Sequence, residues 1–245
     1  ALYDYILEKS PQKIGLNFSK NFALVDGISK TDYDLFFNNA PKEIKRKITS
    51  AETLGIRWIE TRTEKEKVIF SQLVEITHNI ISEAFSTKVI TPGITTTDDV
   101  VWWMREKVVE LNLKTWFHPT VDLQRSDNIK FDFLSAFSKS KVSNVIQKGD
   151  LLHVDFGITY LGLNTDTQQH AYVLKDGEMN APAELNNALR IGNKLQDILT
   201  NEFTTGRTGN EILRSALTKA KSVGIKPQIY THPIGFYGHG SGPTI

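Results

Sequence analysis

Apolar or small residues fall at Phe70, Leu73, Thr77, Ile80 and Ala84, the three-and-four spacing of a helix with one buried face. Ahead of that stripe, Thr63-x-x-Glu66 fits a capping box and predicts the helix start at Thr63. Pro92-Gly93 breaks the chain, and Asp98 and Asp99 then fall in the first turn of a second helix reaching about Leu111. Residues 116–121 read as extended. Residues 151–160 and 165–174 read as two strands joined by a turn at Leu161-Gly162. Residues 184–203 predict a third helix, Thr208-x-x-Glu211 caps a fourth that ends near Gly224, and residues 229–234 are extended again. Upstream, residues 14–18 and 22–25 read as short strands before an Asp26-Gly27 turn, and residues 31–37 as a short helix.

This order repeats. A Gly-led helix followed by an aromatic-x-His-Pro strand occurs twice, with Gly93 and Gly206 113 residues apart and His118-Pro119 and His232-Pro233 114 apart. Each unit is preceded by a long helix. The pattern predicts an α+β fold of duplicated helix-helix-strand units. Residues 1–62 hold too little sequence for a core of their own and read as the tail of a preceding domain with its linker; residues 63–245 form the main domain. The first unit leads into strands carrying Asp155 and Asp166. Their counterparts in the second would fall beyond Ile245, so acidic closing strands are expected outside this chain.

Charge and composition narrow the chemistry. With 29 basic and 28 acidic residues the net charge is +1, which gives no electrostatic footprint for nucleic acid or a membrane surface. There is no cysteine, so disulfides, thiol nucleophiles and Cys-bound zinc are excluded. No apolar run is long enough for a membrane span, and no signal peptide is visible at the start, so a cytoplasmic location is expected.

Side chains alternate along a strand, so His153, Asp155 and Gly157 share a face, as do Asp166, Gln168 and His170 on the returning strand. A turn centred near Tyr160-Leu161 sets Asp155 opposite Asp166 and His170 opposite Leu151. Asp155 lies inside an apolar run, where a carboxylate is costly unless paired, hydrogen-bonded or metal-bound. Two facing carboxylates repel, and a divalent cation between them removes the conflict. Two readings stay open on spacing alone: a metal pair, or a strand-end Asp with a turn-capping Asp. His153 and His170 are candidates on the same face, although a strand histidine is more often a hydrogen-bonded structural residue. Near the end, Gly238-His239-Gly240 leaves an imidazole uncrowded, in a turn or at a bound group.

Together these residues resemble the pita-bread metallopeptidases, the superfamily of creatinase, prolidase and methionine aminopeptidase. The match runs through His153-Val154-Asp155-Phe156-Gly157, then Asn164-Thr165-Asp166-Thr167 eleven residues on, then Gly238-His239-Gly240. Residues 14–26 look like the end of the N-terminal domain of the prolidase and aminopeptidase P branch. The resemblance implies a pita-bread fold around a curved antiparallel sheet. It implies two divalent ions (Mn²⁺, Zn²⁺, Co²⁺ or Fe²⁺) held by Asp155, bridging Asp166, His239 and two glutamates of the closing strands. The implied function is that of an Xaa-Pro aminopeptidase or dipeptidase, in which a metal-held hydroxide attacks the N-terminal peptide bond. His232 is implied as a catalytic, substrate-facing residue, with its repeat partner His118 as a second substrate contact. The implied partners are a peptide with proline at the second position and a second copy in a homodimer, manganese being one candidate metal. Three departures stand out. No Glu follows His239, so this polypeptide alone is expected to be inactive. Residues Ser135, Phe137 and Ser138 stand where the family often has a substrate-facing His. His232 and His239 are spaced more widely than the family's usual pair. The alternative is a non-catalytic pita-bread module that binds a peptide or protein.

Overall fold

The structure is a computed structural model that describes residues 1–125, 144–235 and 238–239, with Gly235 and the last two as backbone. The chain divides into two compact units: 1–62 together with 231–244, and 63–230 with the terminal residue. The described residues from Thr231 on thus group with the first unit.

In the first unit, α1 (Leu2–Lys9) leads to β1 (Ile14–Leu16), α2 (Lys30–Asn39), α3 (Lys42–Lys45), β2 (Ile48–Ser50) and α4 (Glu52–Glu60). β1 and β2 pair in parallel, with Gly15 beside Thr49. Residues 22–25, read above as a strand, form a single 3-10 turn over Ala23–Val25. α2 starts at an N-cap Ser29, whose hydroxyl accepts from the Asp32 N–H.

The second unit begins with α5 (Glu64–Ala84) and α6 (Thr97–Glu110). Both open on capping boxes, Thr63 with Glu66 and Thr96 with Asp99, each satisfying orphan N–H groups of the first turn. The strands β3 (Lys114–Thr115), β4 (Thr120–Gln124), β5 (Leu151–Phe156), β6 (Ile158–Tyr160), β7 (Leu163–Asn164) and β8 (Thr167–Tyr172) follow. They form two antiparallel three-stranded sheets, in the orders β4-β5-β8 and β3-β6-β7. α7 (Ala183–Thr200) and α8 (Gly209–Ser222) repeat the helix pair, and α8 again starts on a capping box, Thr208 with Glu211. β9 (Ile234–Gly235) and β10 (Gly238–His239) form a short antiparallel pair that belongs with the first unit.

The core of the second unit lies between the helix pair and one sheet face. Ile80, Ala84, Val100, Met104 and Val108 from α5 and α6 pack with Leu152, Val154, Phe156 and Ile158. Burial along β5 alternates strictly: Leu152, Val154 and Phe156 are buried, while Leu151, His153 and Asp155 are half-buried on the other face. One face of this sheet therefore builds the core and leaves the other for chemistry.

Candidate metal-binding face

The non-core face of the β4-β5-β8 sheet is polar. Its register sets Thr120, Asp155 and Gln168 in one cross-strand row and Asp122, His153 and His170 in the next. The hairpin turns where expected, at Leu161-Gly162, but its strands pair in a different register. Leu161 and Gly162, with φ of 51° and 76°, form the two-residue turn between Tyr160 and Leu163. Positive φ at both central residues matches the twist of the flanking strands. The turn centre therefore lies one residue further along, and the register moves by two. Asp155 faces Gln168 and His170 faces His153, not Asp166 and Leu151. A shift of two preserves the face, so Asp155 still shares the polar side with the residues expected there.

Asp166 lies just before β8 and is half-buried. Its position is fixed by its neighbour Thr165, which is fully buried and gripped at every polar atom. Thr165 N–H donates to the Ile158 carbonyl (2.9 Å), and its Oγ1 accepts from the Ile158 N–H (3.0 Å). The same hydroxyl meets Thr77 Oγ1 of α5 at 2.8 Å, and the Thr165 carbonyl accepts from Trp116 Nε1 at 2.7 Å. Because the carbonyl is turned to Trp116 and the hydroxyl serves Ile158, the regular ladder is interrupted between β7 and β8. Thr165 turns toward α5, and its backbone is held on both sides immediately before Asp166. Gly157 makes this close approach possible: a Cβ there would lie 2.1 Å from the Thr165 carbonyl oxygen.

The start of β5 is anchored by a buried ion pair. The Arg125 guanidinium forks onto Asp150, with Nε to Oδ1 and Nη2 to Oδ2 both at 2.7 Å, and the Gln147 N–H donates to Oδ2 at 2.8 Å. Arg125 Nη2 also donates to the Val145 carbonyl. This clamp joins the end of β4 to the start of β5, just ahead of His153-Val154-Asp155.

Asp155 Oδ1 is shut off from solvent. A carboxylate oxygen in that position suits a hard or borderline cation that takes oxygen donors. Among the described residues no three His, Asp or Glu side chains converge closely enough to form a complete ligand set. His118 is exposed and engaged by α6: its Nδ1 lies 2.9 Å from Arg105 Nη1, and its ring meets the edge of Trp102 at 6.3 Å. Arg can only donate, so Nδ1 accepts and the ring proton sits on Nε2. His118 lies two residues before Thr120, the register partner of Asp155. His232, half-buried, belongs to the first unit with its Nδ1 3.4 Å from the Pro233 carbonyl oxygen. The His239 backbone pairs with Ile234, while its side chain, residues 240–245 and Ser135, Phe137 and Ser138 lie outside the described residues. Sequence reasoning missed the Thr77–Thr165–Trp116 clamp and the place of Asp122 beside His153. Their only signals were a Thr on the buried stripe of α5 and an alternating residue on β4.

The family model of metallopeptidase family M24 matches residues 69–245. The chain belongs to metallopeptidase family M24. Its members are generally divalent-metal-dependent peptidases, and its mixed helix-and-sheet architecture is the pita-bread fold expected above. No curated protein matches the chain. Among solved structures, the X-Pro aminopeptidase of Thermotoga maritima is similar with a TM-score of 0.61 at 16% identity, covering 99% of this chain and 63% of that protein. The prolidase of Pyrococcus furiosus is similar with a TM-score of 0.59 at 18% identity, covering 89% of this chain and 60% of that one. The prolidase of Thermococcus sibiricus gives 0.59 at 16%, covering 89% and 56%. The chain thus spans about three fifths of the length of these proteins. Identities this low establish a shared fold. No helix among the described residues is long and apolar enough to cross a membrane.

Proposed function

We propose that this M24 chain carries the metal-binding half of an exopeptidase that removes an N-terminal residue, with proline favoured at the second position. Supporting the reading is one observation: Asp155, with a solvent-shielded oxygen, lies on the polar sheet face beside the segment that the Thr165 clamp fixes for Asp166. The solved structures similar in fold are named X-Pro aminopeptidase and prolidase, which supports the specificity. In this reading Asp155 and Asp166 hold two divalent ions, with His239 as a third ligand on the strength of its Gly-His-Gly motif. When bound, such ions polarise the scissile carbonyl and activate water. The protein's own part is to aim carboxylates from a rigid sheet. Asp155 is held by the β4-β5-β8 ladder, and Asp166 by the four hydrogen bonds of Thr165. His232 and His118 would contact the peptide.

Metal content by mass spectrometry, after incubation with Mn²⁺ and removal of excess, tests the ligand assignment. The wild-type chain should retain metal stoichiometrically, and Asp155→Ala and Asp166→Ala should reduce it to background. Unchanged metal in both variants sinks the assignment. With the two glutamates supplied, as in a chain extended by the family's closing strands, Asp166→Ala should abolish cleavage of peptides with proline second. Cleavage that survives it would refute the role of Asp166.

A further inference from the structure

The polar face holds a second histidine-bearing row, one ladder step from Asp155. Asp122, His153 and His170 are successive cross-strand partners on β4, β5 and β8. The two imidazoles lie with ring centroids 4.9 Å apart and planes at 44°. His170 is exposed and His153 half-buried, so the pair opens toward solvent. Directly opposed residues on antiparallel strands have Cβ atoms roughly 5 Å apart. From that separation a small rotation of either ring brings one nitrogen of each within the ~2.0 Å reach of a single ion. Two ring nitrogens held by a hydrogen-bonded ladder form a chelate whose backbone is already ordered before the ion arrives.

We propose that His153 and His170 form a transition-metal site distinct from the Asp155–Asp166 pair, taking an imidazole-seeking ion such as Cu²⁺, Ni²⁺ or Zn²⁺. The donor type sets this selectivity, because neutral imidazole suits these ions while carboxylates also accept Mn²⁺ and Mg²⁺. Water fills the remaining positions. Asp122 continues the row beyond His153, but the three side chains do not converge as a ligand set, so the site is a two-nitrogen chelate. The reading stands independently of the peptidase assignment.

Cu²⁺ titration of the purified chain tests it, in an Asp166→Asn background that removes the proposed peptidase centre and leaves the pair intact. Calorimetry should give one tight ion per chain, and electron paramagnetic resonance should show coupling to two imidazole nitrogens. His170→Gln and His153→Gln should each weaken that site about a hundredfold, the scale on which a second linked ligand raises affinity. Each should also reduce the coupling to one nitrogen. His170 is exposed, so its Gln variant keeps the fold, which circular dichroism checks. Unchanged affinity with an unchanged two-nitrogen spectrum in His170→Gln would overturn the proposal. So would a wild-type affinity no greater than that of the variant lacking both histidines.

Discussion

Gly157 leaves no room for a side chain. An added Cβ would meet the Thr165 carbonyl oxygen at 2.1 Å, Trp116 Nε1 at 2.5 Å and Phe117 Cε1 at 2.8 Å. None of these is the far end of a flexible chain. The oxygen is backbone, and the indole nitrogen is bonded to it at 2.7 Å. Gly157→Ala must therefore break the Trp116–Thr165 bond or displace the segment that carries Asp166. Overpacking of this kind costs about 3 kcal/mol, the upper end of the usual range. The variant should show a lower denaturant midpoint with an unchanged slope. A midpoint equal to wild type would mean that the Trp116–Thr165 approach is looser than described. The His153–His170 pair shows a different single-residue effect. Partial desolvation of its ring against the sheet, and then the charge of His153, push the imidazole of the otherwise exposed His170 below its ordinary range, so the pair disfavours a second proton.

Among whole elements, the junction of α7 and α8 rests on one buried carboxylate. Glu202 is contacted by Lys219 of α8 and by Arg207, which precedes that helix. Lys219 first, then Arg207 and Ser215, hold its carboxyl down at about 2, from an ordinary 4.5. A depressed folded-state value stabilises the fold wherever the unfolded group is ionised. The contribution is complete above pH 4.5 and disappears as pH falls toward 2. Glu202→Gln should therefore be less stable than wild type at neutral pH, with the difference closing as acid is added below pH 4.5. Denaturant midpoints of both proteins across that range check it, and a gap independent of pH would show that packing, not charge, is lost. The helices of this unit were legible because their signals are local: Thr63, Thr208 and the Asp pair at 98–99 each announce a start within one turn. The hairpin register was not legible. Leu161-Gly162 was readable as a turn, but Leu161 at φ 51°, a conformation Leu rarely takes, centres the two-residue turn one residue past the Tyr160-Leu161 centre that set the expected pairing. α1 and α4 also escaped, since helices of eight and nine residues show too few turns for a clear apolar period. The Thr165 clamp was beyond reach for another reason: its partners Thr77 and Trp116 are distant in sequence, and a Thr on the buried stripe of α5 does not say which residue it meets.

For the molecule as a whole, the candidate residues fall in different units. Asp155 and Asp166 belong to the unit with the packed core, and His232 and the His239 backbone belong to the other. An ion bound by Asp155 and Asp166 would be bound by the folded second unit, because the unfolded chain gives neither carboxylate a fixed place. Binding to the folded state alone raises stability by mass action, ~2.7 kcal/mol at a hundredfold excess over the dissociation constant. For a chain of this size that corresponds to a rise in Tm of roughly 5–10 °C. Saturating Mn²⁺ should therefore raise the Tm of the wild-type chain, and chelation should reverse the rise. Asp155→Asn removes a ligand charge while keeping the shape of the side chain, so it should abolish the Mn²⁺ response. His170→Gln should leave that response intact, since the imidazole pair does not select Mn²⁺. A Mn²⁺ shift of equal size in Asp155→Asn and wild type would place the ion elsewhere in the fold and remove the physical basis for the metallopeptidase site on this face.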